Sequence, residues 1–152
     1  MLSQTAEYAL RAVVLLAERA PGSTARVGEL ADALHIPQNY LSKTLHTLTR
    51  AGVLVSARGK GGGFALARPA ATITLLEIVD PFDRMGTRSA CLMGQGECSE
   101  AHACPAHHTW KEVSRRVQGF FSQTTLAQLA ETRSLKPGAT AAKGARRAKK
   151  SH

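Results

Sequence analysis

Apolar residues recur at three- and four-residue intervals along the first part of the chain, a spacing that predicts amphipathic helices. Ala9, Leu10, Val13, Val14 and Leu16 give an apolar face to a first helix over about Gln4–Arg19, which Pro21-Gly22 ends. Val27, Leu30, Ala31 and Leu34 follow the i, i+3, i+4, i+7 pattern of a buried stripe and predict a second helix. His35-Ile36-Pro37-Gln38 reads as a short turn whose proline is placed to open the next helix. That third helix covers about Gln38–Ala51, with Leu41, Leu45 and Leu48 inward and Gly52 as its stop.

The pattern then changes. Val53–Ala57 and Phe64–Arg68 are two short apolar runs around Arg58-Gly59-Lys60-Gly61-Gly62-Gly63, and they predict a β-hairpin with a basic, glycine-rich tip. A further helix is expected from Thr74, with Glu77 completing a capping box, Ile73 and Ile78 forming a hydrophobic staple, and Pro81 closing it. Residues 82–103 read as a polar loop containing glycines and cysteines. A longer helix is expected from Pro105, with Trp110, Val113, Val117 and Phe120 three or four apart, and Thr125 with Gln128 can cap a last short helix. Beyond about Thr132 order is expected to fade.

Charge sharpens this picture through its distribution. The 152-residue chain carries a formal +9, but residues 133–152 hold seven Lys or Arg (Arg133, Lys136, Lys143, Arg146, Arg147, Lys149 and Lys150) and no acid. The preceding residues keep 13 bases against all 11 acids. The tail, rich in Ala, Gly and Lys, has nothing to bury and reads as a disordered basic segment. The opening residues lack a basic leader region, and no stretch reaches the roughly 18 apolar residues that span a bilayer. A cytoplasmic protein with no membrane partner is the expectation. Three cysteines, an odd number, point away from a disulfide framework.

On the third helix, Asn39, Lys43, His46 and Arg50 fall opposite the leucines, with Ser42 flanking them and Gln38 and Tyr40 at the helix start. An ordinary exposed face mixes Glu with Lys; this one holds hydrogen-bonding groups and positive charge and no acid. Helix, turn, helix and basic hairpin in that order describe a winged helix-turn-helix, whose second helix enters the major groove of duplex DNA. Asn and Lys suit base edges, whereas Arg58 and Lys60 on the wing suit phosphates or an adjacent minor groove. The glycine turn lacks the spacing of a nucleotide phosphate loop and precedes a strand rather than a helix.

Cys91, Cys98, Cys104 and His107 form a C-x6-C-x5-C-x2-H array. Cys104 is expected near the N-cap and Pro105 at the first position of the long helix, where the dipole favours a thiolate. Three thiolates and an imidazole can hold zinc or an iron–sulfur cluster, although the close cysteine pair usual in structural zinc sites is missing. No C-x-x-C pair, H-E-x-x-H or serine triad supports an enzyme.

The chain resembles the Rrf-two family of bacterial regulators, with its IscR and NsrR types. The matching stretches are Ala6-Glu7-Tyr8-Ala9-Leu10-Arg11, Ile36-Pro37-Gln38-Asn39-Tyr40-Leu41, Arg58-Gly59-Lys60-Gly61-Gly62-Gly63-Phe64, the three cysteines, and Cys104-Pro105-Ala106-His107-His108-Thr109-Trp110. The likeness covers roughly residues 1–132.

It implies a mainly α protein, with a winged helix-turn-helix DNA-binding domain (1–82), a cysteine loop (83–104) and a long C-terminal dimerisation helix with a short cap helix (105–132), beyond which lies the basic tail (133–152). It also implies a homodimer that binds a double-stranded DNA operator, with Asn39, Lys43 and Arg58 in contact. An iron–sulfur cluster would sit on Cys91, Cys98 and Cys104, two-iron two-sulfur in preference to four-iron four-sulfur. The fourth ligand in the IscR type is a histidine three residues after the last cysteine, here His107; in the NsrR type it is an acid from the partner's first helix, here Glu7. The first cysteine spacing is one residue longer than in the IscR type. The implied function is a transcriptional regulator, a repressor, sensing redox, nitric oxide or iron and cluster status. The alternative is a cluster-free regulator that senses by cysteine oxidation or binds structural zinc.

Overall fold

The computed structural model describes residues 2–85 and 100–131. Cys91, Cys98 and the basic tail lie outside them. Among the described residues six α-helices and one hairpin follow in order: α1 Gln4–Ala17, α2 Val27–Leu34, α3 Gln38–Arg50, β1 Leu54–Ala57, β2 Gly63–Leu66, α4 Leu75–Asp83, α5 His107–Gln123 and α6 Leu126–Glu131. No helix among the described residues is long and apolar enough to cross a membrane.

The organising element is α1. Its Ala6, Ala9 and Ala12 are wholly buried beside Val13, Val14 and Leu16, and small side chains on one face let neighbouring helices approach closely. The helix accordingly contacts α2, α3, α4, α6 and β2. It starts where Ser3 Oγ accepts the Ala6 N–H (3.2 Å) while the Ser3 N–H reaches Asp83 of α4 (2.9 Å). It stops at Ala17, two residues before the expected end at Arg19.

α2 and α3 meet through a tight turn. His35 takes the left-handed conformation (φ 54°), and the Ile36 N–H closes onto Ala31 O (3.0 Å), which drops the Ile36 side chain into the core. Pro37 caps α3 rather than occupying its first turn. Leu41, Leu45 and Leu48 are fully buried, as the periodicity requires, and Gly52 (φ 75°) turns the chain into the hairpin.

The hairpin is antiparallel, with Leu54 opposite Leu66 and Ser56 opposite Phe64. Phe64 also bridges to Ala25, with bonds of 2.9 and 2.8 Å in the two directions, so the wing is sewn to the α1–α2 connection. Gly63 makes this approach feasible: a Cβ there would lie 2.4 Å from Ala25 O, and its φ of 155° lies where L side chains are strained.

Thr74 and Glu77 form the expected capping box on α4, and Ile73 and Ile78 are both buried. Pro81 does not close that helix. It sits inside, and the helix runs to Asp83 before Arg84 turns left-handed (φ 47°). Proline keeps a helical φ and forfeits only one hydrogen bond, here within the last turn.

α5 packs against α4, yet only His107 and Phe121 of its 17 residues are buried. α6 then returns to the body. Leu75 N–H donates to Thr124 O (2.9 Å), Leu126 N–H to Ile73 O (2.8 Å), and Leu126 is fully buried in the same core as α1. Thr125 and Gln128 cap α6 reciprocally, as expected from the sequence.

Candidate nucleic-acid interface and cysteine segment

The outer face of α3 is fixed by its inner one. With Leu41, Thr44, Leu45 and Leu48 buried, Gln38, Asn39, Lys43, His46 and Arg50 are exposed and Ser42 is half-buried. Three threonines return their hydroxyls to carbonyls a turn earlier: Thr44 to Tyr40 O (3.1 Å), Thr47 to Lys43 O (3.1 Å) and Thr49 to Leu45 O (2.9 Å). That leaves the longer polar side chains as the outward groups. Asn39 and Lys43 have no side-chain hydrogen bond or ion pair among the described residues, whereas Arg50 bonds Thr47 Oγ1 (3.1 Å).

Two members of the expected set have partners inside the protein. The Tyr40 hydroxyl bonds Thr5 Oγ1 of α1, and its ring meets Tyr8 edge to face with centroids 5.7 Å apart. The His46 ring meets Phe64 of β2 edge to face at 5.3 Å. Neither contact spans a sequence distance at which periodicity could have announced it.

Arg58 and Lys60 stand exposed on the wing, again without an ion pair or hydrogen bond among the described residues. Gly59 (φ 91°) and Gly61 (φ 83°) shape the tip, and Thr24 Oγ1 ties it down by donating to Gly61 O (2.7 Å). Asn39, Lys43, Arg58 and Lys60 are thus carried on two elements that both rest against one body.

Of the expected metal ligands, the described residues include Cys104, His107 and Glu7. Cys104 is a half-buried free thiol, and its carbonyl accepts the His107 N–H (2.9 Å) in the turn that leads into α5. The N-cap of α5 is Ala106 and its first residue His107, so the helix starts two residues later than expected and Cys104 precedes the cap. Pro105 belongs to that lead-in turn. Glu7 is exposed in the first turn of α1.

His107 is buried, with Nε2 3.1 Å from Glu100 Oε1, and Lys111 Nζ lies 2.8 Å from the same oxygen. The Lys111 ammonium, with His107 beside it, holds the Glu100 carboxyl down at about 2. Glu100, His107 and His108 can each turn a ligand atom to within 4.8 Å of the others. Of these three, the sequence offered only His107 as a ligand candidate and did not single out Glu100. The adjacent histidines were visible, but the Glu100 approach depends on a short 3-10 turn, Glu100–His102, inside what reads as loop.

Comparison with known proteins agrees with this architecture. Residues 2–132 match the Rrf2 family, described as iron-dependent transcriptional regulators. A protein of Aquifex aeolicus classed among HTH-type transcriptional regulators is 35% identical over 131 residues, 85% of this chain and 90% of that one. The regulator IscR of Vibrio vulnificus is 28% identical over 128 residues, 84% and 76% of the two chains. Among solved structures, CymR, the global cysteine regulator of B. subtilis, superposes with a TM-score of 0.75 at 23% identity, covering 88% of this chain and 98% of that one. IscR of T. potens superposes at 0.70 with 20% identity and 87% of each chain. These structures share the fold, a winged helix in a mainly α protein, and the sequence relatives are regulators rather than enzymes. The chain belongs to the Rrf2 family of DNA-binding transcriptional regulators.

Proposed function

We propose that the protein is a cytoplasmic homodimeric repressor that reads a double-stranded DNA operator with α3 and the wing and reports redox, nitric oxide or iron status through an iron–sulfur cluster. One observation carries the DNA-reading part: an exposed, acid-free helix face and a cationic hairpin tip stand together with Asn39, Lys43, Arg58 and Lys60 unengaged by the described protein. Charges left without partners on a protein surface suit a polyanion. Asn39 and Lys43, flanked by Gln38 and Ser42, would meet base edges. Arg50, Arg58, Lys60 and the Tyr40 end of the helix would meet the backbone.

The dimer would form along α5, where Val113 and Phe120 are 45% and 56% exposed on one stripe with Val117. In this reading residues 1–82 hold the reader, 83–104 the sensing segment, 105–132 the dimer contact and 133–152 a basic tail.

The donor set fits a cluster. Cys104 and His107 share one closed turn, with the thiol half-buried and the imidazole buried. Cys91, Cys98, Cys104 and His107 would hold the cluster, with Glu7 of a partner as the other fourth ligand. When bound it would supply a redox-active, modifiable group at the entry to α5, two-iron two-sulfur in preference to four-iron four-sulfur. Because α5 starts there, a change in how the turn is held would alter the helix that spaces two reading heads. The grouping of Glu100, His107 and His108 favours a second reading, a redox-inert metal such as zinc at the same turn.

The test of DNA reading is retention on a duplex selected by the wild-type protein from a random-sequence pool. Lys43→Ala with Arg58→Ala is expected to abolish sequence-specific retention with the helical spectrum intact; unchanged retention would overturn the assignment. Iron, sulfide and zinc quantification after anaerobic purification separates the two metal readings.

A further inference from the structure

His46 shares the outward face of α3 with Asn39, Lys43 and Arg50, and position alone makes it a base-reading candidate. Its ring is already engaged. It meets Phe64 edge to face, with centroids 5.3 Å apart and planes at 75°. Phe64 is the best-anchored residue of the wing: it bonds Ala25 in both directions, stands opposite Ser56 in the ladder, and is buried.

A two-stranded hairpin with strands of four residues does not hold its own orientation, so contacts at its base must set it. The bridge to Ala25 and the Thr24 bond to Gly61 fasten the wing to the α1–α2 connection. The His46–Phe64 contact instead fastens it, through side chains, to the helix that would lie in the groove. Arg58 follows Ser56, the cross-strand partner of Phe64, by two residues. A pivot at Phe64 is therefore carried directly to the cationic tip.

We infer that His46 is a positioning residue that sets the wing against α3, so that Arg58 and Lys60 engage phosphates while Asn39 and Lys43 engage bases. This rests on the reading of α3 and the wing as the DNA interface. It gives His46 an aromatic, packing role and no base of its own.

The two roles make different demands on the side chain. A base reader needs ring nitrogens and loses its function in His46→Phe. A packing brace needs only the ring and survives that change. The loss from a slack wing is also electrostatic in kind: each phosphate contact contributes about 0.9 to the salt slope of binding, so two wing cations account for about 2 per bound protomer.

The experiment titrates wild type, His46→Ala, His46→Phe, Lys43→Ala and Arg58→Ala against a duplex selected by the wild-type protein, over a series of KCl concentrations. Selection from the random pool is then repeated with His46→Ala. His46→Ala is expected to lose on the order of 10-fold in affinity, to show a salt slope lower by about 2 per protomer, and to return the wild-type consensus. His46→Phe is expected to match wild type in all three. An affinity loss in His46→Phe as large as in His46→Ala, or a changed consensus with His46→Ala, overturns the inference and leaves the interface standing. Wild-type affinity in both Lys43→Ala and Arg58→Ala overturns the interface itself, and the brace with it.

Discussion

Tyr40 shows how a single side chain divides between surface and interior. It is 41% exposed at the start of α3, yet its hydroxyl bonds Thr5 and its ring meets Tyr8. Tyr8 is itself tied by Gln4 Nε2 (2.9 Å) and lies under the Arg11 guanidinium at 5.9 Å. Tyr40→Phe keeps the ring contact and removes one hydrogen bond, so it is expected to lower stability by about 1 kcal/mol, read as a shift in the urea midpoint at unchanged slope. The place of Tyr40 in the first turn of α3 was legible from the helical period, which sets it on the flank between the buried leucines and the outward face. Its partnership with Thr5 was not, since the two are 35 residues apart and only the packing of α1 on α3 brings them together. The same holds for His46 and Phe64. Local pattern reports which way a side chain points and is silent on what has been placed there.

The elements themselves were mostly legible because their ends are written in local chemistry. The Thr74–Glu77 and Thr125–Gln128 boxes, the turn before α3 and the glycine wing all appear where short-range rules put them. Errors fell where a residue tolerates more than its reputation suggests. Pro81 stays within α4, and Pro105 lies in a turn ahead of α5 rather than within it.

At the start of α4, burial pushes the Glu77 carboxyl up, but the Thr74 N–H, the Arg68 guanidinium and the Thr74 hydroxyl outweigh it, and its pKa is held below the ordinary value of 4.5. A carboxylate with a depressed folded-state pKa stabilises fully above its unfolded value, and that contribution fades as pH falls through the folded one. Arg68→Met is therefore expected to be less stable than wild type at neutral pH. The gap should narrow once the pH drops below about 4.5, as measured by urea denaturation across a pH series. A gap that does not change with pH would mean that Arg68 acts only through its bond to Thr72 O (2.7 Å).

For the whole molecule the decisive feature is that α5 leaves the body and α6 comes back to it. Exposed Val113 and Phe120 on the departing helix support association with a second copy. Phe120→Glu is expected to yield a monomer by sedimentation while the helical signal persists, and a retained dimer would place the contact elsewhere. The returning helix buries Leu126 in the same core as Ile73 and α1, so Leu126→Ala is expected to cost about 2–5 kcal/mol in unfolding free energy even though it lies far along the chain from α3. No spacing rule pointed to that return, because one buried leucine in a six-residue helix carries no readable period.

The return of α6 has a consequence for how the protein is made. While the ribosome is still adding the stretch after α4, the first four helices lack the apolar cover that Phe121 of α5 and Leu126 of α6 contribute to the same core. A stop codon anywhere before that leucine is expected to release a fragment with an incomplete core. Such a product is expected to be cleaved by protease faster than the whole chain, because cleavage follows the population of opened forms.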